Sequence, residues 1–375
     1  MILTNARLVL ADTVVHGTLV MQGAHIVDVQ PGISAAPGAL DMEGDILMPG
    51  VVDVHTDNLE RQVQPRSNAR WPSRSAMAAH DAQCAAAGVT TVLDALCLGD
   101  LGFDKGRVMT FHDGVRDLDA LADTGLLKSE HFLHLRCELP AGDMMELLDP
   151  VAAHPRVRMV SLMDHSPGVG QYANLDKYRA MRAREGHQSA WIEGRILELQ
   201  EQRDRMREPN RRALLSRMRP IGTVLASHDD RTIDEVAQND ADGIRISEFP
   251  VSLEAASEAR RRGMLTIAGA PNIVRGGSHS GNVSAADLVK AAMVDALASD
   301  YVPSAMIEAA FAAVGQTGIS LPAAVALVTD RPARMANLTD RGRLASGQRA
   351  DAVRIRVWEG MPFVRQVWRQ GERVI

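Results

Sequence analysis

The chain of 375 residues has little cysteine, few aromatics and no long apolar run, and each shortage removes a class of protein. Cys84, Cys97 and Cys137 are odd in number and none falls in a Cys-x-x-Cys spacing. That argues against a disulfide framework or a zinc knuckle. Aromatics make up 3% of the residues, the net charge is −6, and no basic stripe runs along the chain. The composition therefore argues against nucleic acid as a partner. No stretch of about eighteen apolar residues exists, so no segment is expected to span a membrane. The N-terminal MILTNARLVLADTVVHG is interrupted by Asp12 and His16, and no small-residue cleavage pattern follows. No signal peptide and a cytoplasmic location are the expectation. No G-x-G-x-x-G follows the first strand pattern of the middle region, which counts against a dinucleotide fold.

What is present is the ordinary mix of a globular protein with a sizeable core: 46% hydrophobic and 23% charged residues. Both ends read as β-structure. Residues 1–48 hold short alternating runs at Met1–Asn5, Ala6–Leu10, Thr18–Met21 and Ile26–Val29. The closing ADAVRIRVWEGMPFVRQVWRQGERVI does the same, with turns at Glu359-Gly360 and Gln370-Gly371. One small β-sandwich domain built from 1–48 and 345–375 is the economical reading, since chain ends often lie close together. Between them, 49–344 alternates strand and helix. Candidate strands fall at 50–55, 89–95, 131–138, 157–164, 221–228, 244–249, 264–270 and 295–300. Helical patterns such as 75–88 and 252–263 separate them, the latter with Ser252 as N-cap and Gly263 as stop. Eight such units predict an α/β fold, a (β/α)8 TIM-like barrel, over an open doubly wound sheet. One interval, 172–219, is too long for a crossover and rich in Arg, Glu and Leu. It predicts one or two extra helices, either a solvated pair or a lid.

The strand ends carry the chemistry. Residues 50–60, GVVDVHTDNLE, run from valines into His55 and Asp57, which share one face of an extended chain. The third strand ends in Arg136 and Glu138, the fourth in Asp164 and His165, the fifth in His228, Asp229 and Asp230, the eighth in Asp300. In a barrel all these tips face one mouth. His131 and His134 lie inside their strand and read as core. His80 opens a helix and is a candidate for substrate contact. His112, His154 and His187 read as surface, and His16 and His25 belong to the β domain. His55, Asp57, Glu138, His165, His228 and Asp300 remain, three imidazoles and three carboxylates. That donor set suits a pair of divalent ions such as zinc or manganese, with Glu138 as the bridging ligand. A second cluster, APNIVRGGSHSGN at 270–282, offers Arg275, Gly276, Gly277, Ser278, His279, Ser280 and Asn282 to an anionic ligand. No GK[ST] follows its glycines, so it is not a Walker loop.

At these residues the sequence resembles the amidohydrolase superfamily, through PGVVDVHTD, the composite β domain and the closing GQRADAVRI. HTDN, HLRCELP, SLMDHSPG, ASHDD, EFP, GAPNIVRGGSHSGN and ASDYVPS narrow the resemblance to a branch of phosphonate catabolism. The resemblance implies a metal-dependent hydrolase that cleaves a ribosyl methylphosphonate triphosphate to the 5-phosphate and pyrophosphate. It also implies Asp300 as acceptor of the water proton, a small anionic substrate, and room for a homo-oligomer. Three departures stand out. Asp57 replaces the second histidine of the usual His-x-His. No lysine occupies a strand tip, so Glu138 would stand in for the usual carboxylated lysine. His165 and His228 fall on strands four and five, one earlier than is common. Hydrolysis of a cyclic amide, or deamination of a purine-like ring, would use the same metal cage, and a metal-free scaffold is the alternative outside catalysis. Arg275 beside a Gly-Gly turn favours the anionic substrate.

Overall fold

Eight runs of mostly buried residues form parallel strands in the computed structural model, which describes residues 1–66, 69–102, 106–278 and 282–375. They are Val51–Thr56, Val89–Leu98, Glu130–Glu138, Val157–Met163, Val224–His228, Ile246–Glu248, Leu265–Gly269 and Ala296–Ala298, here barrel strands one to eight. Each pairs in parallel with the next. The ends meet as well. Asp300 N donates to His55 O at 3.0 Å, and Asp57 N donates to Asp300 O at 2.5 Å, so strand eight is stitched to strand one. Val52, Val54, Leu93, Phe132, Met159, Ala226, Ile246, Ile267 and Ala296 fill the space inside. The barrel is a packed core, and its chemistry is confined to the mouth.

The helices follow their caps. Leu253–Arg261 starts at Ser252, whose Oγ accepts from Ala255 N at 3.0 Å, and Gly263 leaves it at φ +75°. The interval 172–219 holds two helices, Leu175–Arg184 and Ser189–Met218. Asn174 caps the shorter one, its Oδ1 accepting from Asp176 N and Lys177 N. Asn210 pins the longer one to the barrel, donating to Leu139 O and Ala141 O at 2.8 Å each.

Strands from both ends of the chain share one mainly antiparallel sheet. Glu372–Arg373, Met361–Arg369, Ala352–Trp358, Ile46–Pro49, Ile2–Val9, Val14–Gln22 and His25–Pro31 lie side by side in that order, and Leu40–Asp41 also pairs with Ile2–Val9. The sheet curls, because Ile26 N donates to Gln348 O and Ala350 N to Ala24 O. Leu3, Leu8, Leu19, Ile26, Leu47 and Trp368 are enclosed by the curl.

Two local expectations are corrected. Met1–Asn5 and Ala6–Leu10 are one strand, Ile2–Val9, whose pairing slips at Asn5 (φ 55°). Residues 270–275 are not loop. Pro271, at a first-turn position where its missing N–H costs nothing, and Gly276, left-handed at φ 77°, bound the short helix Ala270–Arg275. No described helix is long and apolar enough to cross a membrane.

Candidate active site

At the C-terminal mouth of the barrel lies a cavity of about 430 Å³. His55, Asp57, His165, His228, Asp229 and Asp300 all line it. They fall into two groups. In His55, Asp57 and Asp300, one ligand atom of each lies within 4.8 Å of the others, and the same holds for His165, His228 and Asp229. Three non-glycine residues just past strand ends, Asp229 (φ 57°), Phe249 (φ 52°) and Asp300 (φ 55°), adopt the left-handed conformation. Each such residue costs of order 1–3 kcal/mol, and that strain gathers at functional sites. The Phe249 ring packs edge-on against both His55 (5.0 Å) and His228 (5.5 Å).

Behind the imidazoles stand two carboxylates outside the cavity lining. Glu248, at the end of strand six, takes His55 Nδ1 on Oε1 at 2.8 Å and His228 Nδ1 on Oε2 at 2.7 Å. Ser161 Oγ also donates to Oε2, at 2.9 Å. Glu138 takes His165 Nδ1 at 2.7 Å. A carboxylate only accepts, so each ring nitrogen facing one must carry the hydrogen, and each Nε2 is left for other partners. Burial alone would lower the His55 pKa, but Glu248 and Asp57 overrule it and raise it to about 10. Asp57 is the reverse case. Burial would raise its pKa, yet Arg136 and His55 hold it well below the usual carboxylate range. Asp300 is pushed up, first by burial and then by the charge of Asp57.

Cations line the same cavity. Arg136 on strand three donates to Asp57 Oδ1 at 2.6 Å. Arg107, Arg275 and, from the inserted helix, Arg182 also line the cavity, so four guanidinium groups border it, and Arg107 pairs with Glu60 at 3.4 Å. Arg182 pairs with Glu185 at 2.8 Å and lies over the Tyr178 ring. Gly277, Ser278 and Asn282 also line the cavity, whereas Gly276 serves as helix cap. His279 and Ser280 lie outside the described residues.

Two expectations about roles do not match the placement. Glu138 does not stand between the two groups as a bridge, because its carboxylate is taken up by the back of His165. His80 cannot touch a substrate in the cavity. Its side chain is fully buried on the barrel's flank, with Nε2 on Asp94 Oδ1 at 2.6 Å and Nδ1 against Asn58 Nδ2 at 2.9 Å. The barrel does hold eight strands in the expected order, so His165 follows strand four and His228 ends strand five. Glu248 and Asp229 are additions to the expected set. His55, His134 and Glu248 form a further compact group, as do His80, Asp94 and His131, but hydrogen bonds among buried neighbours occupy both.

No family model matches the chain. Among solved structures, N-acetyl-D-glucosamine-6-phosphate deacetylase from Mycobacterium smegmatis is similar over 100% of both chains at a TM-score of 0.64 and 18% identity. N-isopropylammelide isopropylaminohydrolase from Burkholderia multivorans is similar over 100% of this chain and 97% of its own, at a TM-score of 0.63 and 18% identity. At that identity the likeness establishes the fold alone, a closed parallel barrel with an accessory sheet. A sequence relative goes further. The alpha-D-ribose 1-methylphosphonate 5-triphosphate diphosphatase of Escherichia coli is 41% identical over 382 residues, covering 100% of both chains. With that likeness running from end to end of a barrel whose mouth gathers histidines, aspartates and arginines, the chain belongs to the family of alpha-D-ribose 1-methylphosphonate 5-triphosphate diphosphatases.

Proposed function

We propose that the protein hydrolyses alpha-D-ribose 1-methylphosphonate 5-triphosphate to the 5-phosphate and pyrophosphate, in the cytoplasm, with two divalent ions, zinc or manganese. His55, Asp57 and Asp300 would hold one ion, and His165, His228 and Asp229 the other. The residues fit such ions: imidazole nitrogens and carboxylate oxygens converge, and Asp229 Oδ2 is buried with no hydrogen-bond partner among the described residues. Bound there, divalent ions lower the pKa of water toward about 7 and offset the charge of phosphoryl oxygens.

The remaining steps belong to the chain. Asp300, whose pKa burial raises, accepts the proton of the attacking water on its carboxylate. The water oxygen bonds to the α-phosphorus, the α–β anhydride bond breaks, and pyrophosphate leaves with the bonding electrons. Arg136, Arg275, Arg107 and Arg182 bind and orient the phosphate oxygens, which carry more negative charge as the bond breaks. Because Arg182 comes from the inserted helix, that helix contributes to the binding surface.

The observation that carries this reading is that four guanidinium groups line the same cavity as the two histidine and aspartate groups. Asp57, Glu60 and Glu185 pair with three of them, yet so many guanidinium groups at one cavity suit a triphosphate far better than a neutral cyclic amide or purine-like ring. Incubation with the triphosphate and Mn²⁺ or Zn²⁺ is expected to release one pyrophosphate per 5-phosphate formed. Release of orthophosphate instead, or ammonia from a ring substrate at a higher kcat/KM, would sink it.

A further inference from the structure

Glu248 is fully buried, does not line the cavity, and yet touches both halves of the mouth. His55 belongs to the group with Asp57 and Asp300, and His228 to the group with His165 and Asp229. One carboxylate spans the two, Oε1 on His55 Nδ1 at 2.8 Å and Oε2 on His228 Nδ1 at 2.7 Å. The two rings lie 6.0 Å apart and within 20° of parallel, the arrangement expected when a flat carboxylate grips both. Their far nitrogens look toward the cavity carboxylates. His55 Nε2 is 3.4 Å from Asp57 Oδ1, and His228 Nε2 is 3.8 Å from Asp229 Oδ1.

We propose that Glu248 is a positioning residue that couples the two ion sites by fixing the tautomer and ring plane of one imidazole in each. The inference rests on the reading that the mouth holds ions, and concerns how they are held rather than what is hydrolysed. An imidazole that holds an ion is neutral and keeps one N–H. With that hydrogen committed to Glu248 on Nδ1, the Nε2 lone pair is fixed toward the cavity in both rings at once. Neither ring can turn over without breaking the grip that also orders the other. Ser161 Oγ, donating to Oε2 at 2.9 Å, keeps the carboxylate itself from rotating. Outer partners of metal-bound histidines commonly matter 10–100-fold for metal affinity. Here one outer partner serves two sites, so its loss should be felt at both.

Chelator-competition titration of the full chain with Zn²⁺ separates the roles. Asp57→Asn is expected to weaken one ion and Asp229→Asn the other. Glu248→Gln is expected to weaken both, by roughly 10–100-fold each. A carboxamide accepts at one oxygen only and turns an N–H toward the second ring. A folded Glu248→Gln protein that holds both ions as the wild type does, or loses only one, overturns the proposal. Nitrogen-15 histidine spectra of the wild type decide the matter even where that variant does not fold. With or without zinc, both His55 and His228 should keep a hydrogen-bonded Nδ1–H, and coordination through either Nδ1 overturns the clamp. A wild type that binds no ion refutes the ion reading instead, while the ion-free spectra still test the grip of Glu248 on both rings.

Discussion

Asp300 is fixed by its backbone before its side chain does anything. Its N–H and C=O both bond to strand one, and its left-handed φ of 55° turns the carboxylate back toward the mouth. Burial and the charge of Asp57 raise its pKa above that of an ordinary aspartate. Asp300→Asn keeps the shape and removes the base. Turnover should fall by about 10²–10⁴-fold while the His165, His228 and Asp229 site keeps its ion. Near-normal turnover with normal metal content would remove Asp300 from proton transfer. His55, Asp57, His165, His228 and Asp300 were legible as polar residues at strand ends. Asp229 was harder, since consecutive residues of an extended chain face opposite sides and Asp229 follows His228. Only its φ of 57° swings it into the cavity, and no propensity announces that. Glu248 is the last residue of strand six, and the expected strand 244–249 ran past it without singling it out. Extending the strand-end rule to strand six would have found it.

Between the helix Ser73–Ala86 and strands two and three lies a buried polar cluster that position along the chain did not suggest. His131 faces Asp94 through Nδ1 at 2.8 Å and Asp81 through Nε2 at 3.2 Å. Both partners are acceptors, so the ring must carry two hydrogens. His80 and Cys84 complete the surroundings, His80 sharing Asp94. Burial would lower the His131 pKa, but Asp94 and Asp81 outweigh it and raise it to about 9. A histidine whose folded pKa exceeds its unfolded value of about 6.5 adds stability in full below pH 6.5. That contribution, of order 3 kcal/mol, is lost as the pH rises through about 9. Asp94 and Asp81, held low by the same ring, act in the opposite direction and only in acid. Denaturant unfolding should show stability falling between pH 7 and 10, and His131→Gln should flatten that slope. An unchanged slope in the variant would place the alkaline loss elsewhere. His80 was misread as well: it stands in the middle of the helix Ser73–Ala86, not at its start, and its imidazole turns inward to Asp94.

The barrel divides labour by strand polarity, and the division can be tested on one side chain. Glu130 begins strand three and Glu138 ends it, so they sit at opposite faces of the barrel. At the Glu130 end, the carboxylate holds the buried Arg341 and Arg349, which also reach Thr91 Oγ1 at 2.9 and 3.0 Å. Arg349 continues to Asp351, whose backbone oxygen accepts from Gly50 N at 3.0 Å and whose Oδ1 accepts from Gln370 N at 2.8 Å. One ion network thereby joins the sheet built from the chain ends to the floor of the barrel. The eight-strand alternation could be read from periodicity, and the joining of the two ends from their shared β pattern and the usual closeness of chain ends. This network could not, since it joins residues 91, 130 and 349 only after the barrel has closed. Glu130→Gln leaves two buried guanidinium groups without their shared anion, which should cost about 3 kcal/mol. The denaturation midpoint should fall accordingly. Because Glu130 lies a full strand length from the mouth, kcat/KM per folded molecule should stay within about twofold, well under the tenfold that 1.4 kcal/mol in the barrier would bring. A large drop in kcat/KM at full folding would mean that the floor of the barrel shapes its mouth, and that stability and chemistry are not separated along the strands.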